Sequence, residues 1–440
     1  MPSSFSPRFF FILLGISLLP HLVYVWFNTT SITAGLLIAC GVVTMLNLTD
    51  LLRYRLTAKC ATAIGVLLFL LLASSLYNLY KFENTKPIYS FPAVILLFAS
   101  AISTSSFLSR TSVAAIRGSI LAFCFILLGI GWMKVFYVPT FLNYDMHIKP
   151  VFPYSEESHF ALSLGMMACV YAFIGNMRWA VFVIANMISL GIIYPNLTIV
   201  LFFFLSVGVL MMRQRPTVLI MLALVGTPAL VWFFLDVVIS IDYFASRLNF
   251  DDVDNLTTIV FLQGWQLAYL NIVGTYGIGL GFQGLGSEST IIGDLTWQVM
   301  RIASGGRALN LADGGFLAAK IIAEFGILGV VGLAYYVIFL IRNSLRFAFW
   351  SRSPSTDLVA AVHFGRFAFL FAFLVEVFFR GLGYFSPGLF FALVAGFGLA
   401  GAEVGRATST SKATVQRKRA VSRGPSSAMP RRVSGRPRMT

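Results

Sequence analysis

The chain has 440 residues, of which 58% are hydrophobic and 11% charged, with a formal net charge of +15. A water-soluble globular protein carries about 25% charged residues, and a disordered chain lacks apolar surface on this scale, so both classes are excluded. The remaining class is an all-α, polytopic integral membrane protein, in which helices satisfy the backbone polar groups internally.

Crossing the hydrocarbon layer takes about 17–25 predominantly apolar residues in a helix. In chain order such runs fall at 9–27, 31–48, 61–80, 91–108, 118–138, 158–176, 179–194, 197–212, 217–240, 314–341, 358–379 and 385–402, which predicts twelve transmembrane helices. The first run has no small-residue cleavage site and is expected to be a retained helix. Tyr194-Pro195-Asn196 is expected to turn tightly between two short spans; one long kinked helix over 179–212 would leave eleven. Charge favours twelve. One set of connections then holds Arg8, Arg53, Arg55, Lys59, Arg110, Arg117, Arg178, Arg213, Arg215, Arg342, Arg346 and Arg352, against only Asp50 and Asp357. Basic connections face the cytoplasm, which puts both termini there.

The net charge divides unevenly. From Arg406 to Thr440 there are ten Lys/Arg and no acid, which leaves +5 for the other 405 residues. The membrane domain is therefore taken as 1–402. The segment 403–440, rich in Ser, Pro and Arg, is expected to be a disordered cytoplasmic tail that touches anionic lipid, and no nucleic-acid partner is expected. Four cysteines (Cys40, Cys60, Cys124, Cys169) lie in or beside apolar runs without paired spacing, so they define neither a disulfide frame nor a metal site.

Two connections on the opposite face are long. One covers 139–157; the other covers 241–313, with seven acids against three arginines, a net of −4. A loop of that length is uncommon as a mere connection. Its apolar stretches, Ile259 to Ile272 and Trp297 to Ile302, predict amphipathic helices lying on the membrane surface.

The candidate chemistry lies on this face. Glu156, Glu157 and His159 stand at the start of the sixth span, where carboxylates and an imidazole can act as base or hydroxyl ligand. The structural alternative is that Ser155 caps the helix and the acids complement its dipole. Arg247, Arg301, Arg307 and Arg380 share the compartment with Asp313, and arginine grips phosphate bidentately. The glycine run from Gly277 to Gly286 contains a G-x-G-x-x-G-like pattern. Without a βαβ context it reads as a tight, backbone-accessible turn and not as a nucleotide site. Lys134, Lys320, Glu324, Arg366 and Glu376 are charges within apolar runs, where they are costly and usually functional or paired; Lys320 and Glu324 are spaced to neutralise each other.

Three stretches resemble the bacterial O-antigen polymerase and ligase superfamily. Glu156-Glu157-Ser158-His159-Phe160-Ala161-Leu162 is similar to the polymerases' E-P-S-H-F-A-L stretch, with Glu157 where proline is common. Arg247-Leu248, Trp265 and Gly277-Ile278-Gly279-Leu280-Gly281-Phe282 look like the family's arginine-to-glycine passage in its large periplasmic loop. Asp313-Gly314-Gly315-Phe316 through Gly329 resembles the loop exit, with Asp313-Gly314 where ligases often carry His-Asn. The missing histidine favours a polymerase.

The resemblance implies a glycosyltransferase at the periplasmic face of the bacterial inner membrane. It would join undecaprenyl-pyrophosphate-linked repeat units into O-antigen or a related surface polysaccharide. Arg247 would stabilise the departing pyrophosphate, with Arg301, Arg307 and Arg380 in support. Glu157 or His159 would act as base, with Glu156 and Asp313 next, and Trp265 would stack on sugar. No cofactor is expected. The expected partners are the lipid-linked glycan, membrane lipids and a chain-length regulator. A ligase, a flippase of lipid-linked oligosaccharide and an assembly scaffold are the alternatives.

Overall fold

The computed structural model describes residues 5–29, 31–53, 58–141, 143–144, 149–214, 256–303, 309–350 and 358–399. The apolar run 217–240, Arg247, Arg307 and the basic tail lie outside them. Among the described residues the chain is all-helical, and the only β pairing is an isolated bridge between Val151 and Tyr154.

In chain order the helices are α1 (Pro7–Trp26), α2 (Thr33–Leu46), α3 (Leu48–Arg53), α4 (Ala58–Phe82), α5 (Lys86–Ser109), α6 (Val113–Phe136), α7 (Glu157–Ile174), α8 (Met177–Ile193) and α9 (Leu197–Gln214). After the gap come α10 (Leu256–Gly274), α11 (Asp294–Ile302), α12 (Leu317–Trp350), α13 (Leu358–Ala372), α14 (Leu374–Phe378) and α15 (Pro387–Leu399). Six of the described helices are long and apolar enough to cross a membrane: α1, α4, α5, α6, α7 and α12. The outward faces carry the same message: Val66, Phe69, Leu70 and Leu76 on α4 and Leu328, Val331 and Tyr335 on α12 are exposed. Contiguous apolar surface of that kind suits lipid and not water.

The helix ends follow local chemistry. Ser6 accepts from the Phe9 amide with Pro7 opening α1, and Ser112 accepts from Ala115 at α6. The Tyr194-Pro195-Asn196 break is present, and the Asn196 side chain caps α9 through the amides of Thr198 (3.0 Å) and Ile199 (3.3 Å). Two long runs are interrupted where hydropathy alone shows nothing. The run 358–379 divides into α13 and α14 at Phe373, and α12 kinks at Gly326.

α7 is the hub, packed against α6, α8, α9 and α13, and every residue from His159 to Phe173 is buried. A helix apolar on all sides belongs in the centre of a bundle. Contacts sort the helix termini into two ends. At one, Asp50 of α3 bridges Arg8 (2.7 Å) and Arg110 (3.0 Å), and Arg213 donates to the carbonyl of Gly175 (2.6 Å). At the other, Lys134 pairs with Glu157, Arg380 pairs with Glu156 (3.0 Å), and Asn78 donates to the carbonyl of Leu280 (2.8 Å).

Of the two helices expected to lie on the surface, α11 is short and carries Val299 inward with Asp294, Trp297 and Arg301 outward. α10 departs from the expectation. Its polar residues Thr258, Gln263 and Asn271 are buried, while Trp265, Tyr269 and Val273 face outward. Asn271 explains the inversion: it donates to the carbonyl of Ile291 (3.0 Å) and accepts from its amide (2.8 Å), which ties α10 to the following loop.

Candidate functional site

The second end of the bundle gathers the N-terminus of α7, the glycine turn 277–286, the turn before α12 and the segment between α14 and α15. Glu156 occupies the N-cap position of α7, with extended backbone and no capping bond from its side chain. Its carboxylate accepts from Ser158 (2.9 Å) and from Arg380 (3.0 Å), and Arg380 also reaches the Ser158 hydroxyl (3.3 Å). Burial raises the Glu156 pKa, but His159, the Arg380 guanidinium and the bonds from Ser158 and Arg380 outweigh it and hold the carboxyl below its ordinary value. Glu156 is therefore an anion fixed by an arginine at the start of a helix.

Glu157 has a different fate. It is buried and ion-paired with Lys134 of α6, whose ammonium also lies over the Tyr194 ring at 5.5 Å. Two buried opposite charges hold each other, and drawing either one away leaves its partner uncompensated in the interior, so Glu157 is committed to Lys134. His159 is the group left facing inward. Ser155 hydrogen-bonds its Nδ1 at 3.1 Å, so Ser155 orients an imidazole and does not cap the helix as the alternative reading expected. The His159 ring lies 5.1 Å from that of His21 on α1, which in turn contacts Tyr154 at 4.7 Å.

The glycine run forms the tight turn expected of it, with positive φ at Gly277, Gly279, Gly281 and Gly286. It docks on the break in α12. Gly326 adopts φ 55° and ψ −131°, a conformation essentially confined to glycine, which opens the helix ladder there. The freed carbonyls of Ala323 and Glu324 accept from the amides of Leu280 (2.9 Å) and Gly281 (2.7 Å), and the Ile327 amide donates to Gly277 (2.9 Å). A Cβ at Gly279 would meet the Glu324 carbonyl oxygen at 2.5 Å, so backbone touches backbone.

Lys320 and Glu324 do more than neutralise each other, and stand 3.9 Å apart. The Glu324 carboxylate, fully buried, accepts from the amides of Gln283 (3.0 Å) and Leu285 (3.2 Å). Lys320 donates to the carbonyl of Ala312 (2.6 Å), to Gln283 (3.3 Å) and to Asp313 (3.4 Å), and its ammonium lies over the Tyr384 ring at 5.1 Å. Burial and then the neighbouring Glu324 raise the Tyr384 pKa well above its ordinary value, which keeps this residue a neutral phenol.

Neither a protein-family model nor a curated protein nor a solved structure matches this chain.

The segment 379–386 joins the two halves of this end. Arg380 meets Glu156, while a Cβ on Gly383 would lie 2.7 Å from the Asp313 carboxylate. Of the expected residues, Glu156, His159, Arg380 and Asp313 are thus brought to one end through one connecting segment. Trp265 stands aside: its ring packs on Phe316 at 4.9 Å, with its remainder exposed. Arg301 is exposed in the last turn of α11. Arg247 and Arg307 lie outside the described residues. His21, Asn78, Gln283 and Tyr384 were not anticipated. The available signal was a polar side chain inside an apolar run (His21, Asn78) or just beyond one (Tyr384). Among the described residues, no group of three or more His, Cys, Asp or Glu is placed to hold a metal ion.

Proposed function

We propose that the protein is a membrane glycosyltransferase that joins lipid-pyrophosphate-linked oligosaccharide repeat units at the outer face of a bacterial inner membrane. The observation that carries this reading is the convergence, at one end of the bundle, of an oriented imidazole (His159), an arginine-held carboxylate (Glu156–Arg380) and a lysine–carboxylate-braced turn (Lys320, Asp313, Glu324). These groups come from segments as far apart as 224 residues. Glycosyl transfer from a pyrophosphate needs a base or orienting acceptor for the attacking hydroxyl and cations for the leaving group. His159 and Glu156 fit the first need; Arg380, Arg301, Arg247 and Arg307 are assigned to the second.

The topology supports the same face. For the described helices from α6 to α9, the ends that touch are those that a twelve-span count places on one face. Arg213 contacts the Arg8–Asp50 end of α7, whereas α10 packs beside the start of α12 at the other end. The apolar run 217–240 is, by sequence, long enough for one further span at about 1.5 Å per helical residue, which the twelve-span reading requires. The net-acidic connection 241–313 then lies outside and both termini inside.

Deletion of the gene tests the reading on a polysaccharide gel. A polymerase predicts collapse of the surface polysaccharide to a single repeat unit on its anchor. Complete loss of capped anchor would indicate a ligase, trapped cytoplasmic intermediates a flippase, and an unchanged ladder would remove the chain from this process.

A further inference from the structure

Behind His159 a narrow crevice runs into the bundle between α1, α7, α14 and the start of α15, with Ser17, His21, His159, Ser163 and Glu376 among its lining. His21 is fully buried, and neither of its ring nitrogens has a hydrogen-bond partner among the described residues. Ser17 Oγ (1% exposed) and Glu376 Oε1 (2% exposed) are in the same position. Leaving one such group unsatisfied costs free energy, and native interiors contain few of them. Four unsatisfied atoms facing one crevice call for a guest that both donates and accepts. The crevice is too narrow for a sugar or a lipid headgroup, and the donors do not group as metal ligands. Water meets both conditions.

Glu376 takes part in none of the ion pairs formed among the described residues. A carboxylate buried without a cation is far more costly than a neutral carboxyl. We propose that the crevice is a wet proton-holding site in which Glu376 carries a proton that exchanges through crevice water with His21 and His159. Other titratable groups surround it. Tyr154 lies on the His21 ring, Glu156 is held by Arg380, and Glu157 is held by Lys134. Tyr24 of α1 lies toward Glu156, and Tyr336 of α12 lies near Glu376 but donates to the Leu370 carbonyl.

The role of this site rests on the glycosyl-transfer reading. As the acceptor oxygen bonds the anomeric carbon, its O–H bond breaks and His159 takes the proton. The bond from that carbon to the pyrophosphate oxygen breaks, and the lipid pyrophosphate leaves with the electron pair. The crevice then passes the proton from His159 to water, so the imidazole is neutral for the next transfer. His21 and Glu376 act through His159 and are positioning residues.

Infrared difference spectroscopy on the full chain in lipid nanodiscs tests the site without any substrate. Wild type minus Glu376→Gln at neutral pH should contain a protonated-carboxyl band that shifts in heavy water, and Glu376→Asp should move the band without abolishing it. In His21→Gln the proton concentration at which the band is lost should change by about tenfold or more. Absence of the band, insensitivity to heavy water, or an unchanged pH dependence in His21→Gln would each overturn the proposal. Because the spectra involve no turnover, they fail or succeed independently of the polysaccharide gel.

Discussion

Replacing Gly326 by alanine puts the docking of the glycine turn at risk in a way that can be sized from the structure. The Gly326 backbone, at φ 55° and ψ −131°, lies in a region that costs a residue with a side chain about 1–3 kcal/mol. A Cβ built there would lie 2.0 Å from the Gly277 carbonyl oxygen, so turn and helix must separate. Separation weakens the three backbone bonds between them, from Leu280 to Ala323, Gly281 to Glu324 and Ile327 to Gly277, each contributing about 1 kcal/mol net. The expected loss is roughly 3–5 kcal/mol. Gly332, farther along α12, is the matched control: nothing lies within 4 Å of its Cβ position, and alanine there should be neutral or stabilising by up to about 1 kcal/mol. Denaturant titration of both variants in mixed micelles, followed by the fluorescence of the seven tryptophans, measures the difference. Gly326→Ala within about 1 kcal/mol of Gly332→Ala would refute the claim that the turn is held by backbone contact at the kink.

Other outcomes follow from the same geometry. Arg380→Ala should reduce polymer formation at least tenfold while shifting the unfolding midpoint little, because its ion pair with Glu156 is partly exposed and such pairs contribute under about 1 kcal/mol. Asp50→Asn should destabilise by roughly 1–3 kcal/mol, since one nearly buried carboxylate serves two half-exposed arginines, and should leave polymer length unchanged. The Glu156 carboxyl has a depressed pKa, so its stabilising contribution is present above the ordinary carboxylate value and is lost as pH falls through the lower folded value. The stability difference between wild type and Glu156→Gln should therefore persist through mildly acid pH and vanish only below the ordinary carboxylate range. Arg247→Ala should abolish polymerisation at normal protein level, judged by the polysaccharide ladder and an immunoblot; a wild-type ladder would remove Arg247 from the site.

The helices were legible because a run of apolar residues bounded by Ser, Asn, Pro or charge has one low-energy outcome in lipid. The turn at Asn196 and the glycine turn were legible for the same local reason: the residue types there have few alternatives. The kink at Gly326 was not, because Ile321 to Leu328 reads as continuous helix, and only the approach of a turn some 45 residues earlier makes the break worthwhile. Partner choice was equally hidden. Lys134 and Glu157 are 23 residues apart, and Arg380 and Glu156 are 224 apart, so composition shows a charge in an apolar run but not what neutralises it. That distinction separates the two adjacent carboxylates at the head of α7, which look alike in sequence. One is taken by a lysine inside the bundle, the other by an arginine at its rim, and the imidazole remains the group turned toward the crevice.

The most direct measurement supplies the full chain, reconstituted in proteoliposomes, with undecaprenyl-pyrophosphate-linked repeat units isolated from a strain lacking the gene. Product length is read by mass spectrometry. The expected result is dimers and longer glycans on one lipid carrier with stoichiometric release of undecaprenyl pyrophosphate, without any sugar nucleotide, and loss of both products in His159→Gln. Unextended repeat units alongside a folded protein, or extension that persists in His159→Gln, would contradict it.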